Sequence, residues 1–561
     1  MGRILKQDGK RISALPVVSF CEYEVNIFTV KAGEDAPEAF NDMYSYFDFL
    51  EELHRKTFPR LSRDLSKACP KLVVFVNGLN AFRVAALERY PDAEEKGLKR
   101  QGKDTLRLQI ETSRFIFRNF DSLANSAPRK VAEMFGTVNI LEAMCKLLDL
   151  LAEGKPWPRL RWSLAYQAKK AFYKDMRGEL WEWMKEHKVL FRTLEHYKDM
   201  FAGSKSGFLL LYATAEHKEK LRTMFHNAES WDKKSAYPSV FISDEFFPIG
   251  APVRITKEKV KLLKECITGR KWFKIVVESK KRIPEFDLFE GTPEAGERRY
   301  GIEVYDWRTL TELLDVPVNR IKEILNGTYW KLYIVPETGM LPECFRRKIV
   351  QCYEEKNAIQ DKSDPYRFML KTMIDMIYGK PLQYKGFKSI RQVNRFYIGR
   401  GENFLMPQHS MHAVSAVRYE IMKVIKAIGS DCIKWDTDGI VCKRGNARVI
   451  FEAINEEIRA KNKLAFGYIS PIETDCGVWD YEGCGAFMPL SAKSYLFRPE
   501  GGKLVFKHCG IQDRDVKQYL AEIEEDVFEH FKTEKEIQAR AGFLYYLSVH
   551  KYKRLYNAFT L

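Results

Sequence analysis

A chain of 561 residues is too long for one ordinary hydrophobic core, so two to four domains or subdomains are expected. With 45% hydrophobic and 30% charged residues it reads as a folded chain, and its longest apolar run, near GFLLLYATA, is far too short to span a bilayer. The excess of 92 Lys and Arg over 76 Asp and Glu, a formal net charge of +16, favours a polyanionic partner such as nucleic acid.

The start, MGRILKQDGKR, is polar and has no apolar signal core, which points to a cytoplasmic protein with no membrane partner. The 11 cysteines contain no C-x-x-C pair and read as reduced core residues; Cys476 and Cys484 come nearest to a cluster but lack flanking ligands at zinc spacing.

In chain order, PVVSFCEYEVNIFTV reads as strand and EAFNDMYSYFDFLEELHRK as an amphipathic helix. The buried-strand run KLVVFVNG then leads into a helical FRVAALERY. This α/β alternation persists to about residue 195, and FAGSKSGF at 201–208 looks like a connector. The next unit opens with AESWDKKSAYPSVFISDEFFPIGAP, where short strands are bracketed by Pro and Gly and a Tyr237-Pro238 turn follows Asp232. A long helix fits PYRFMLKTMIDMIYG. After it, KPLQYKGFKSIRQVNRFYIGRG carries Lys380, Lys385, Lys388, Arg391, Arg395 and Arg400 among aromatics with no acid, which suits a hairpin on a phosphate backbone or a solvated basic loop. A further helix over SMHAVSAVRYEIMKVIKAIG runs into CIKWDTDGIV. The segment beyond about residue 505 is charged and reads as helical.

Four short patterns carry chemistry. In D-T-D, Asp436 and Asp438 at i and i+2 would share one face of a strand, whereas the Asp438-Gly439 pair alone is also a strong hairpin-turn signal. Nucleotidyl transfer by two metal ions roughly 4 Å apart needs carboxylates from separate segments, and Asp232 in D-x-x-S-x-Y-P is the best complement in the chain. On the helix RFMLKTMIDMIYGK, Arg367, Lys371 and Tyr378 fall on one stripe that would suit a triphosphate with its base against the ring; alternatively, Lys371 pairs with Asp375 at i+4. In SAKSYLF, Lys493 and Tyr495 share one face of an expected strand.

In order and approximate spacing, D-x-x-S-x-Y-P at 232–238, K-x6-Y-G at 371–379, D-T-D at 436–438 and K-x-Y at 493–495 resemble the palm and fingers motifs of family B DNA polymerases. The chain length and two extra stretches between motifs resemble the protein-primed, bacteriophage-type branch. The resemblance implies an α+β multi-domain fold. An N-terminal α/β, RNase H-like exonuclease domain would span 1–195, palm and fingers 196–504, and the thumb 505–561. Insertions near 285–355 and 380–401 would be of the terminal-protein-docking and strand-displacement types.

It also implies that Asp232, Asp436 and Asp438 hold two Mg2+ or Mn2+ ions, and that Tyr237 lies under the sugar and excludes a ribose 2′-hydroxyl. Lys371 would grip the triphosphate, with Lys356 or Lys362 as a second phosphate ligand, and Tyr378 would pack near the nascent base pair. Lys493 and Tyr495 would touch the primer end. The implied partners are template and primer DNA, deoxynucleoside triphosphates and a terminal protein, with the polymerase itself a monomer.

Departures from the family are Gly439, where Ser usually follows the second Asp, and Asp375-Met376, where Asn-Ser is usual. The exonuclease motifs read Glu22-Tyr23-Glu24 for D-x-E, with Asn77 and Asn80 but no carboxylate in VNGLNAFRV, and Ala171 with Asp175 in AFYKD. The expected exonuclease site is therefore degenerate, Glu22, Glu24 and Asp175 being what remains. Two other readings stay open: a polymerase fold kept as a DNA-binding or regulatory module, and a reverse transcriptase-like polymerase. Three clustered charges argue against the first, and Tyr237 together with D-T-D in place of adjacent aspartates argues against the second.

Overall fold

The computed structural model describes most of residues 164–507, apart from 203–221, 245, 256–258, 290–297, 363, 380, 383–385, 398–403, 467–472 and 492–493. Before them it describes strands and short helical pieces between 18 and 147, and after them residues 520, 523 and 526–532. These residues fall into two compact units, one within 1–175 plus 351–376 and the other within 176–350 plus 377–561. Among the described residues, no helix is long and apolar enough to cross a membrane.

The first unit holds a seven-stranded mixed sheet. Its strands are β1 (Val18–Glu24), β2 (Ile27–Ala32), β3 (Glu38–Phe40), β4 (Leu72–Asn77), β5 (Lys99–Arg100), β6 (Thr105–Ile110) and β7 (Ser113–Asn119), in the spatial order β3-β2-β1-β4-β7-β6-β5. β1, β4 and β7 run parallel, while the outer pairings are antiparallel. Continuous apolar runs such as LVVFVN suit a central strand of such a sheet. The helix expected to begin at Glu38 does not: Glu38–Phe40 pairs with β2 instead, because a sheet edge offers three residues backbone partners that an isolated first turn cannot.

The second unit is built on a six-stranded sheet, an inserted four-stranded sheet and a small two-stranded one. β8 (Phe225–Lys233) leads into helix α1 (Ala236–Ser243), and β9 (Phe247–Pro248) pairs with β14 (Thr338–Gly339). The inserted sheet has the order β10-β13-β11-β12, from β10 (Val253–Ile255), β11 (Trp272–Ser279), β12 (Arg298–Glu303) and β13 (Tyr329–Val335). Helices α2 (Lys259–Thr268) and α3 (Val318–Asn326) supply Leu263, Ile321, Ile324 and Leu325 to its own core of Phe273, Ile275, Val277, Tyr300 and Leu332.

Helix α4 (Pro365–Gly379) starts as its sequence directs: Pro365 takes the first helical position and the Asp364 carboxylate accepts the N–H groups of Tyr366 and Arg367. The basic stretch folds differently from the expected hairpin. Residues 390–397 form helix α5 (Ile390–Tyr397), with Val393 and Tyr397 buried and Lys388, Arg391 and Arg395 exposed. The tyrosine hydroxyl donates to the Pro381 carbonyl and Asn394 donates to that of Phe191, so apolar spacing at i and i+4 wins over the hairpin pattern.

Helix α6 (Pro407–Ile428) runs into β15 (Cys432–Asp436) and β16 (Gly439–Lys443), and helix α7 (Ala447–Ala465) follows. β17 (Trp479–Ser491), β18 (Ser494–Pro499) and β19 (Val505–Lys507) complete the sheet in the order β15-β16-β8-β17-β18-β19. Residues 505–507 are therefore strand and not helix; beyond them, a short helix (Val527–His530) packs Phe528 against Met488, Leu490 and Leu496. One face of this sheet is covered by α7, whose Phe451 stacks on Trp231 at 4.3 Å and meets Trp479 at 5.1 Å. Phe451 is fully buried, so truncating it to Ala should cost about 3–5 kcal/mol. Of the described cysteine side chains, all but Cys344 are buried.

Candidate active site

The face of the six-stranded sheet opposite α7 gathers the acids. Asp436 on β15 pairs with Gly439 on β16, Gly439 pairs with Asp232 on β8, and Asp232 pairs with Asp480 on β17. Directly opposed residues project to one face, so Asp436, Asp232 and Asp480 form a row with a gap at Gly439. A Cβ built on Gly439 would lie 3.6 Å from Asp232 Oδ1, an ordinary contact, so a small side chain fits there and the departure from Ser carries no steric cost.

Asp438 does not share the strand face of Asp436. It is the second residue of the two-residue turn, after Thr437 at φ +62°, and its N–H donates to the Asp436 carbonyl at 2.8 Å. The expected shared strand face of Asp436 and Asp438 is therefore not formed: the turn residues are Thr437 and Asp438, Gly439 already pairs as the first residue of β16, and the second Asp is presented by the turn. Its carbonyl accepts the N–H of Lys233 at 2.9 Å, which ties the turn to the residue after Asp232. Thr437 Oγ1 donates to Asp436 Oδ1 at 3.0 Å.

Lys233 itself points to the covered face. It is 2% exposed, donates to the Gly477 carbonyl at 2.7 Å and pairs with Glu420 of α6 at 2.9 Å. Gly477 N–H and the Val478 carbonyl close back onto Lys234. Gly477 sits at φ +91°, and a Cβ there would fall 2.5 Å from that of Ser239, so only glycine lets this loop lie against α1. Lys234 in turn pairs with Asp480 at 3.1 Å.

The expected Tyr237-Pro238 turn is instead the start of α1, entered through Ser235 in the left-handed region; Pro is tolerated in a first turn because its missing N–H has no intrahelical partner there. Tyr237 is buried and stacks on Tyr378, at the end of α4, with centroids 4.1 Å apart. Burial pushes its hydroxyl well above the ordinary range, and Tyr378 and Asp438 push the same way. Farther along the sheet, burial and then Glu482, Asp436 and Asp232 push the Tyr495 hydroxyl up to about 12. Glu482 accepts from Ser230 at 3.0 Å.

Lys371 lies on α4, exposed, seven residues before Tyr378. Asp375 is open at the surface one turn after Lys371. Lys356 rests over the Tyr353 ring at 4.7 Å, and Lys362 is exposed between helices. Lys385 and Lys493 lie outside the described residues. In the first unit, Glu22 and Glu24 both lie on β1 and Asn77 ends β4; Asp175 is exposed just beyond the helix Leu164–Tyr173, and Asn80 lies outside the described residues. The motifs did not single out Lys233, Lys434, Asp480 or Glu482, whose importance comes from pairings over hundreds of residues of chain.

Among the described residues, no group of three or more His, Cys, Asp or Glu side chains is closed to metal-holding distance. The donor set is nevertheless of the kind a hard divalent cation takes: the Asp232, Asp436 and Asp438 carboxylates come from two chain segments, β8 and the β15–β16 hairpin, and Gly439 leaves room for a small group 3.6 Å from Asp232 Oδ1.

No family model matches the sequence, and no curated protein matches it. Solved structures do match, and they define the class: the chain has a multi-domain α+β polymerase fold. Phi29 DNA polymerase complexed with primer-template DNA aligns with a TM-score of 0.58 at 13% identity, covering 90% of this chain and 94% of that one. Its ternary complex with primer-template DNA and incoming nucleotides aligns with a TM-score of 0.56 at 12% identity, over 92% and 94% of the two chains. The orthorhombic crystal form of the same polymerase gives 0.55 at 14%, over 91% and 93%.

Proposed function

We propose that the protein is a DNA-directed DNA polymerase that extends a primer 3′-hydroxyl by two-metal nucleotidyl transfer. The observation that carries this reading is the strand register that sets Asp436 and Asp232 on one row with Asp438 in the adjoining turn. Asp232, Asp436 and Asp438 would hold Mg2+ or Mn2+; when bound, such ions activate the primer hydroxyl and stabilise the leaving pyrophosphate. Tyr237, locked against Tyr378, forms a rigid wall suited to excluding a ribose 2′-hydroxyl. Lys371 binds the triphosphate, with Lys362 or Lys356 as a second contact, and Tyr495 with Lys493 orients the primer end. Template, primer and deoxynucleoside triphosphates are the partners. The fold likeness to phi29 DNA polymerase supports the reading.

Within it, residues 1–195 are the exonuclease-like domain, 196–504 palm and fingers, and 505–561 the thumb. The 285–355 segment docks a terminal protein used as primer, and 380–401 supports strand displacement. The deciding assay is extension of a DNA primer with Mg2+ or Mn2+. Losing one metal ligand should remove several kcal/mol of transition-state stabilisation and so orders of magnitude in rate. Extension by Asp438→Ala at the wild-type rate would sink the assignment. Glu22, Glu24 and Asp175 support at most weak proofreading, because an amide at Asn77 cannot supply a carboxylate's charge. Robust digestion of a 3′-labelled single strand that is lost in Glu22→Ala would reverse that reading.

A further inference from the structure

Lys434 precedes Asp436 by two residues on β15, so both side chains leave the strand on the same face. It is 2% exposed, and its Nζ rests 4.3 Å from the centroid of the Tyr495 ring. The hydroxyl of that ring lies within electrostatic reach of Asp436, Asp232 and Glu482. An ammonium group is thus built into the carboxylate face, shielded from water that would otherwise screen it.

We propose that Lys434 is a positioning residue of the carboxylate site: its ammonium holds the Tyr495 ring against the sheet and offsets the charge of Asp232 and Asp436, setting how tightly the site takes a divalent cation. This rests on the reading of Asp232, Asp436 and Asp438 as metal ligands. The sign follows from Coulomb's law. A fixed cation repels an entering divalent ion while it attracts the same carboxylates, so its removal strengthens ion binding. The effect is large only because a buried charge is felt at low effective dielectric. The ring contact follows a second rule, since a cation over an aromatic face is attracted by the ring quadrupole and restrains it.

The test is Mn2+ binding to the full-length protein without DNA or nucleotide, read as free Mn2+ by electron paramagnetic resonance. Wild type, Lys434→Met, Lys434→Arg and Asp438→Ala are compared, with Lys434→Gln as a second neutral variant in case one fails to fold. The neutral variants should bind Mn2+ with a dissociation constant about tenfold lower than wild type. Lys434→Arg should match wild type, because it keeps both the charge and the ring contact, and Asp438→Ala should bind more weakly. Neutral variants that bind as wild type does, while Asp438→Ala is weakened, overturn this inference alone. Wild type that binds no better than Asp438→Ala overturns the metal-site reading and this inference with it.

Discussion

Replacing Lys233 with Met should test how the acid row is held, because it removes a charge from the covered face and leaves the row's own residues intact. In the native protein the ammonium donates to the Gly477 carbonyl at 2.7 Å and pairs with Glu420 at 2.9 Å, and the side chain is almost fully buried. A hydrogen bond from a charged donor contributes roughly 1.5–3 kcal/mol, and removing one partner of a buried ion pair costs about 3–5 kcal/mol. The Glu420 side chain is 35% exposed overall, but the oxygen that faces Lys233 is buried, which places the cost at about 3 kcal/mol. The loss should be visible as a lower urea midpoint at unchanged slope in the transition that reports the second unit. Since the backbone of Lys233 also carries the hydrogen bond to the Asp438 turn, loosening it should reduce the extension rate more than it weakens DNA binding. Lys233→Arg, which keeps the charge, should recover part of both. A Met variant with the wild-type midpoint and rate would refute the claim that this buried lysine braces the site.

His409 sets a pH dependence. Its Nδ1 accepts the Met406 N–H and its Nε2 donates to the Pro248 carbonyl, which fits the neutral ring, and burial lowers the imidazole from 6.5 to about 3, with His412 acting in the same direction. A pKa depressed on folding contributes stability that is complete above the unfolded value and lost as pH falls toward the folded one. Stability should therefore decline from pH 6.5 toward 3, by up to about 1.4 kcal/mol per pH unit, and His409→Gln should flatten that limb in denaturation measured across pH. An unchanged slope in the variant would count against it. For the exposed cations on and just before α5, a Lys388, Arg391 and Arg395 triple replacement by Ala should weaken DNA binding and flatten the slope of log affinity against log salt by up to about 2.7. An unchanged salt slope would mean that this helix does not lie on a phosphate backbone.

Local patterns were legible wherever neighbours in sequence are also neighbours in space. The helix over PYRFMLKTMIDMIYG has its start written in Asp364-Pro365, and the Asp-Gly signal marked the hairpin between β15 and β16, although the turn residues are Thr437 and Asp438. The resemblance carried by D-x-x-S-x-Y-P, K-x6-Y-G, D-T-D and K-x-Y anticipated the α+β multi-domain polymerase fold from side-chain types and spacing alone. Tertiary structure decided the rest. Glu38–Phe40 became strand and residues 390–397 of the basic stretch became helix, because sheet edges and apolar partners outweigh local propensity over so few residues. Asp438 falls in the turn because β15 and β16 pair as far as Asp436 and Gly439. The row itself, and the buried Lys233 and Lys434 on its two sides, exist only because β8, β15, β16 and β17 lie side by side. Strand register joins residues hundreds of positions apart through backbone hydrogen bonds, and those bonds leave no mark on the spacing of side chains along the chain.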